Sequence, residues 1–462
     1  MDALVRELTN LFGSEAVLCA AEVGQRACSY WDSSSMQARA LIRPATTAEV
    51  SRLLALCNER RQAVVVQGGR TGVCCGERAR PADIILSLER MRAIEEIDVV
   101  DRTVTVQAGC ILESLQAAAA DRGLTFPVDL GARASCTIGG NIATNAGGIN
   151  VIRYGMIRER VRGLEAVLAD GTVISSMNRM LKNNAGYDVK QLFIGTEGTL
   201  GVVTRAVLSL DESLPFEFDA LAALSEFDAL STLLRRLYKS LQGQLVAFEV
   251  MWGDYYRAII EAGDEPAPLE PHFPYYVLIR ASAAMGEAKE TFELALQAVM
   301  DEGLVEDAVL AKSRNEARQL WNIRENFEPL LRDKPTFVYD VGLPIRHMEA
   351  YVTEVRMGLG AQWPRHHAYV FGHLGDGNLH WIVSPGEDTP GIHSLVDRHI
   401  YEPLRRLGGS ISAEHGIGTE RRSYLEISRS AEETALMRRL KRWLDPNDTL
   451  NPGKVIPGER TT

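Results

Sequence analysis

The stretch AVVVQGGRTGVCCG, Ala63 to Gly76, decides the fold of this 462-residue chain. Ala63 to Val66 is a short run of apolar, mostly β-branched residues and reads as a strand. It feeds directly into Gly68, Gly69, Gly72 and Gly76. Glycines there let the backbone take positive φ and approach a ligand closely, so that several amides can point at a pyrophosphate. Upstream, a strand near residue 41 and a helix over Thr47 to Arg60 complete the opening of an α+β domain. The run is not a P-loop, because no Gly-Lys-Ser/Thr follows, and it lacks the Gly-x-Gly-x-x-Gly order of a nicotinamide fold.

Further strands are expected at IILSL, TVTVQAG, LEAVLADGTVI and LGVVTRAVLSL, with a helix over Ile111 to Arg122. Between them, FPVDLGARASCTIGGNIATNAGG gathers small residues at Gly139, Gly140, Ala143, Ala146, Gly147 and Gly148, with polar side chains at Asn141, Thr144 and Asn145. Two readings compete for the glycine-rich runs: a bed for a large planar cofactor, or plain surface loops. The block ends near Leu214, at Asp211-Glu212-Ser213-Leu214-Pro215. Helix and strand patterns then resume over Glu226 to Leu241, Leu245 to Met251 and Tyr275 to Ala281. EAGDEPAPLEPHFP, with Pro266, Pro268, Pro271 and Pro274, reads as a surface loop, and a last helix is expected over Ser428 to Leu444.

Bulk properties narrow the function. A chain of this length forms two or three domains, and 46% hydrophobic with 24% charged residues is ordinary globular composition. A net charge of -11 argues against a nucleic-acid-binding surface. The N-terminus reads as an amphipathic helix with Leu4, Leu8 and Leu11 on one face, without the basic start and apolar core of a secretory signal. No run of about 18 apolar residues suggests a membrane span. Seven cysteines, odd in number and without Cys-x-x-Cys spacing, suit a reducing cytoplasm. The Cys74-Cys75 pair reads as small packing residues and is assigned no role.

Chemistry concentrates in GHLGDGNLH (Gly372 to His380) and AEHGIG (Ala413 to Gly418). Gly375-Asp376-Gly377-Asn378 is a tight-turn sequence, and a hairpin there turns His373 and His380 toward one point. Glu414 adds a carboxylate, giving a two-histidine, one-carboxylate set that suits zinc or manganese and leaves coordination positions open. His415 is then left as a base for a substrate hydroxyl that a metal has polarised. Ordinary packing and hydrogen bonding is the competing reading of these four residues.

These runs, with RYGMIRERVRGLEAVLADGT, NNAGYDVKQLFIGTEGTLGVVT, LWNIRE, ISAEHGIGTE and NPGKV, resemble the flavin dehydrogenases of D-2-hydroxy acids in the vanillyl-alcohol-oxidase superfamily, across Leu41 to Val455. The resemblance implies an α+β fold: a PCMH-type, two-subdomain FAD-binding domain, a ferredoxin-like substrate (cap) domain and a C-terminal helical segment. The corresponding boundaries are residues 1–40 for an N-terminal helical segment, 41–214 for FAD binding, 215–411 for the cap with the metal hairpin, and 412–462 for a segment that completes the active site. It implies that Gln67, Gly68, Gly69, Arg70 and Thr71 cradle the pyrophosphate. Gly72, Pro127, Gly139, Gly140, Asn141, Asn145, Gly155, Val203 and Asn451 line the rest of a non-covalent FAD, since QGGRTG has no histidine for a covalent tether. His373, His380 and Glu414 are the implied metal ligands and His415 the base, while Arg324 is the candidate clamp for the substrate carboxylate, its alternative being a surface salt bridge.

The implied reaction is oxidation of a D-2-hydroxy acid to the 2-oxo acid, hydride passing to flavin N5. In the D-2-hydroxyglutarate branch, a threonine, a lysine and an asparagine stand where this chain has Glu328, Val338 and Ile382. A second carboxylate would there meet acid and hydrocarbon, so a monocarboxylic, D-lactate-like or longer acid is the expected substrate, with D-2-hydroxyglutarate as the alternative. Other readings are the flavin subunit of a glycolate-oxidase-like complex and, from another class, a metal-dependent hydrolase. The electron acceptor is expected to be an electron-transfer flavoprotein, a cytochrome or a quinone, and a homodimer stays open.

Overall fold

The computed structural model describes residues 2–263 and 267–458, and the chain forms two compact units. The first comprises Met1–Gly148, Gly155–Ser213 and Glu414–Thr462, the second Ile149–Tyr154 and Leu214–Ala413. Pro266 of the proline-rich stretch lies outside the described residues.

Besides a short pair, Leu124–Thr125 with Asp211–Glu212, the first unit holds two larger sheets. In one, Ala40–Ile42, Ile84–Ser87 and Val64–Gln67 run parallel, with Val17–Cys19 antiparallel at the edge. The parallel strands are almost continuously apolar, as burial on both faces demands. The second sheet is antiparallel, in the order Ile94–Asp98, Thr103–Gln107, Val202–Ser209, Val161–Val167, Val173–Ser176. One apolar cluster joins both, from Leu53, Val64 and Ile84 to Val104, Ile138 and Val203. The helix Thr47–Glu59 starts where its cap predicts, Thr46 accepting from the Glu49 amide. The late helix begins at Ala431, later than expected, because Ser430 and Glu433 form a capping box there. In the N-terminal helix Leu4 and Leu8 are buried but Leu11 is exposed; Phe12 packs on the core in its place.

The second unit is built on a seven-stranded antiparallel sheet. Its first four strands, Phe216–Leu224, Leu245–Trp252, Tyr275–Ala283 and Asp307–Leu310, lie in the spatial order fourth, first, third, second. With helices Phe227–Leu241 and Ala288–Asp301 as crossovers, this is the ferredoxin-like arrangement. Three more strands extend it beyond Leu245–Trp252: His367–His373, then Asn378–Ser384, then Phe337–Gly342 at the edge. Leu245–Trp252 is therefore a central strand, and all eight of its residues are buried. The proline-rich stretch is less superficial than its composition suggests. Leu269 is buried against Tyr256 and Tyr276, and the Tyr256 hydroxyl donates to the Leu269 carbonyl at 3.0 Å. No helix among the described residues is long and apolar enough to cross a membrane.

Candidate active site

In the first unit the two glycine-rich segments pack on each other. A Cβ on Gly69 would lie 2.2 Å from the Ser135 carbonyl oxygen, so only glycine allows the first loop to seat there. Arg70 takes the left-handed conformation, φ 56°, the alternation that turns successive amides toward one point. Its guanidinium donates to the Ala27 carbonyl at 2.6 Å. Thr71 and Gly72 continue the loop with Gly72 exposed, whereas Gln67 is buried and braces it, donating to the Glu77 carbonyl at 2.9 Å.

Thr137 caps the helix Ile138–Thr144, accepting from the Gly140 amide, and Gly139 packs on Ala108. Asn141 is buried, and Asn145 ends the helix in the left-handed region, its side-chain oxygen accepting from the Arg158 amide. Pro127 and Val203 are buried, and Gly155 has φ 72°. Asn451 ties the C-terminal stretch to the strand before the first loop. Its side-chain oxygen accepts from the Val66 amide at 3.0 Å, and its amide group donates to the Glu197 carbonyl at 2.6 Å. Close packing of small residues, a left-handed loop residue and half-exposed glycines fit a bed for an extended anionic cofactor better than surface loops do.

Glu414 and His415 also belong to the first unit. Glu414 accepts from the Gly148 amide at 3.2 Å and lies 3.7 Å from His415 Nε2. The turn after His415 is held by Glu197, whose two oxygens accept from the amides of Ile417 and Gly418 at 2.7 and 2.9 Å. Burial pushes the Glu197 carboxyl up, against those two donors. Nothing in the sequence reading singled out Glu197; its only signal was an acidic residue between glycines in GTEGTLG. All seven cysteines are thiols. Cys74 and Cys75 are each pushed up to about 12, chiefly by burial, with Glu197 beside the first and Glu420 hydrogen-bonded to the second. At neutral pH they are protonated and poor nucleophiles.

The second unit carries the other candidates. His373 ends the strand His367–His373 and His380 is the third residue of the strand Asn378–Ser384, and the turn between them includes a short 3-10 segment, Leu374–Asp376, and Gly377 at φ 86°. Their ring centroids are 5.2 Å apart at 83°. With Zn–N bonds near 2.0–2.1 Å, two imidazoles on one tetrahedral ion place their centroids about 5 Å apart, so this pair fits a shared cation.

Behind the pair lies a carboxylate that the sequence reading missed. Glu249 faces His373 in register across two strands and is 1% exposed. One oxygen lies 2.8 Å from His373 Nδ1; the other accepts from Arg324 Nε and Nη2 at 3.0 and 2.9 Å. Arg324, at the end of helix Arg314–Glu325, is 5% exposed and lies over the Phe371 ring, 4.7 Å from its centroid. Its ion pair is thus buried, and the surface salt bridge considered for it is corrected. A second missed carboxylate, Asp340, pairs in register with His380 and lies 3.9 Å from its Nδ1. It accepts from Asn378 at 2.6 Å and from the Ser412 hydroxyl and Ala413 amide at 3.0 Å.

Of the three positions bearing on substrate, Ile382 is buried in an apolar cluster with Tyr255, Phe371 and Phe327. Val338 lies opposite it in register on the edge strand and is 40% exposed. Glu328 is exposed, so the buried-charge repulsion expected of it does not arise.

Comparison with known proteins agrees with this architecture. Residues 38–176 match the family described as FAD binding domain, and 219–455 match FAD linked oxidases, C-terminal domain. A D-2-hydroxyglutarate dehydrogenase of Xanthomonas citri pv. viticola is 42% identical over 90% of this chain and 89% of its own. One from Stutzerimonas stutzeri is 34% identical over 98% and 99%, and the mitochondrial one of Bos taurus 39% over 91% and 77%. Among solved structures, p-cresol methylhydroxylase with substrate bound superposes with a TM-score of 0.77 at 14% identity, covering 98% of this chain and 96% of that one. The 4-ethylphenol oxidase of Gulosibacter chungangensis gives 0.75 at 18%, covering 99% and 97%. At such identities these structures speak for the shared two-subdomain FAD-binding fold.

Proposed function

Because the chain belongs to the FAD-linked oxidases, as a D-2-hydroxy acid dehydrogenase acting on a CH–OH group, we propose that it oxidises a D-2-hydroxy acid without a second carboxylate. The observation that carries the substrate reading is the apolar surround of Ile382, Phe371 and Phe327 beside Arg324, where a second carboxylate would be desolvated beside hydrocarbon. A specific observation favours a second reading, D-2-hydroxyglutarate: the curated relatives quoted carry that name.

Bound FAD supplies the hydride acceptor, held non-covalently by the two glycine-rich segments, and a bound zinc or manganese supplies a Lewis acid on His373, His380 and Glu414. The remaining roles fall to this chain's side chains. Arg324 offers the unshared edge of its guanidinium to the substrate carboxylate. His415 accepts the hydroxyl proton as the hydride departs. The electron acceptor would be an electron-transfer flavoprotein, a cytochrome or a quinone. The odd set of thiols suits a cytoplasmic setting, and a homodimer is compatible with this reading.

The test is anaerobic bleaching of the flavin's visible band by D and L forms of lactate, longer apolar 2-hydroxy acids and 2-hydroxyglutarate. Bleaching by a D-monocarboxylate, abolished by a chelator, is the expected result. Fast bleaching by D-2-hydroxyglutarate alone would select the second reading.

A further inference from the structure

Glu249 sits in the middle of the apolar strand LVAFEVMW, on a central strand, where a charge is costly unless fully paired. It is paired on both oxygens, and the two partners belong to different parts of the proposed chemistry. His373 is a proposed metal ligand; Arg324 is the proposed substrate clamp.

An ionised carboxylate can only accept, so the 2.8 Å contact requires His373 to carry its proton on Nδ1. Nε2 is then the unprotonated nitrogen, the one whose chemistry suits ligation of a cation. The other oxygen takes Arg324 through Nε and Nη2, which fixes the plane of the guanidinium and leaves Nη1 outside the pair. A charge balance for Arg324 alone would need only one of these oxygens.

We propose that Glu249 is a positioning residue that sets the His373 tautomer for metal binding and the Arg324 plane for substrate carboxylate, joining the two through one side chain. This rests on the functional reading above. Metal binding and substrate binding should therefore respond together to this one position, although Glu249 touches neither ligand.

The discriminating variant is Glu249→Gln. Its amide has one acceptor and one donor end where the carboxylate has two acceptors. If the oxygen faces His373, the amide N–H groups meet the donors of Arg324. If it faces Arg324, His373 must accept at Nδ1 and protonate Nε2, which removes the ligand. Either orientation disables one partner.

The experiment compares wild type, E249Q, E249A and H373A, each purified with its FAD and checked by circular dichroism. Metal-stripped protein is titrated with Co2+ and the cobalt absorption band followed; KM and kcat are then measured for the acid that bleaches the flavin. E249A is expected to weaken Co2+ binding 10–100-fold, the range for loss of a residue supporting a metal ligand, and to raise KM about tenfold or more. E249Q is expected to show at least one of these losses. If E249A fails to fold, E249Q alone decides. E249Q or folded E249A with wild-type Co2+ affinity and wild-type KM would overturn the proposal. H373A with wild-type Co2+ affinity would instead overturn the metal site, and with it this role for Glu249. H373A losing the metal while both Glu249 variants keep it and their KM would sink the Glu249 role alone.

Discussion

Arg324 shows what burial does to a single ion pair. On a surface it would contribute little, but with both partners nearly inaccessible, removing one leaves a bare charge in a low dielectric. Arg324→Met should therefore cost about 3–5 kcal/mol, because Glu249 keeps its charge and loses its main counter-ion. The double variant E249Q/R324M should cost less than the sum of the singles, with a coupling of about 0.5–3 kcal/mol. Urea unfolding of the four proteins measures this, and strict additivity would mean the two groups do not interact. Arg324 itself was legible in LWNIRE, but its partner was not. An acidic residue inside LVAFEVMW breaks an otherwise apolar strand, and the same anomaly marks Asp340 in FVYDVG. Sequence shows that such a charge is out of place; only strand register, Glu249 opposite His373 and Asp340 opposite His380, shows which side chain it faces.

At the scale of elements, the glycine-rich loops and the hairpin were readable because turn chemistry is local. Gly375-Asp376-Gly377-Asn378 predicted a turn and a turn is there, although a 3-10 segment takes up part of it. Of the four-strand core, Leu245–Trp252 and Tyr275–Ala283 were readable as strands while Phe216–Leu224 and Asp307–Leu310 were not, and the spatial order depends on pairings between distant strands. Two glycines give the elements separable roles. A Cβ on Gly372 would sit 2.4 Å from the Asn378 carbonyl oxygen, and one on Gly69 would sit 2.2 Å from that of Ser135. In both cases the obstacle is backbone, so the loop itself must shift. G372A should lower metal content with FAD retained, since displacements of about 1 Å are enough to spoil a ligand set. G69A should lower FAD content with metal retained. Flavin absorbance and elemental analysis of the two purified variants give the comparison, and loss of both ligands in each would show that the loops are not independent.

Over the whole molecule, the stretch Leu450 to Lys454 returns to the first sheet and its glycine-rich loop. Leu450 forms a parallel bridge with Val64, the Asn451 amide donates to the Val64 carbonyl at 2.8 Å, and Lys454 Nζ donates to the Gly76 carbonyl in the first glycine-rich loop. Lys454 makes this closure sensitive to pH. Burial pushes its ammonium down to about 8, an effect that Glu77, Asp83 and Glu197 only partly offset. Below pH 8 both folded and unfolded chains hold the proton, and the folded state carries the whole cost of a buried charge. Between about 8 and the ordinary lysine value near 10.4, the folded chain sheds the proton while the unfolded chain keeps it, so stability rises with pH. The rise from this one group amounts to about 3 kcal/mol. Lys454→Met loses the hydrogen bonds at every pH but has no proton to shed. The stability of wild type relative to K454M should therefore improve between pH 7.5 and pH 10 in parallel urea titrations, other titrating groups cancelling in the difference. A difference that stays constant over that range would mean that the Lys454 ammonium is as well solvated in the folded chain as in the unfolded one.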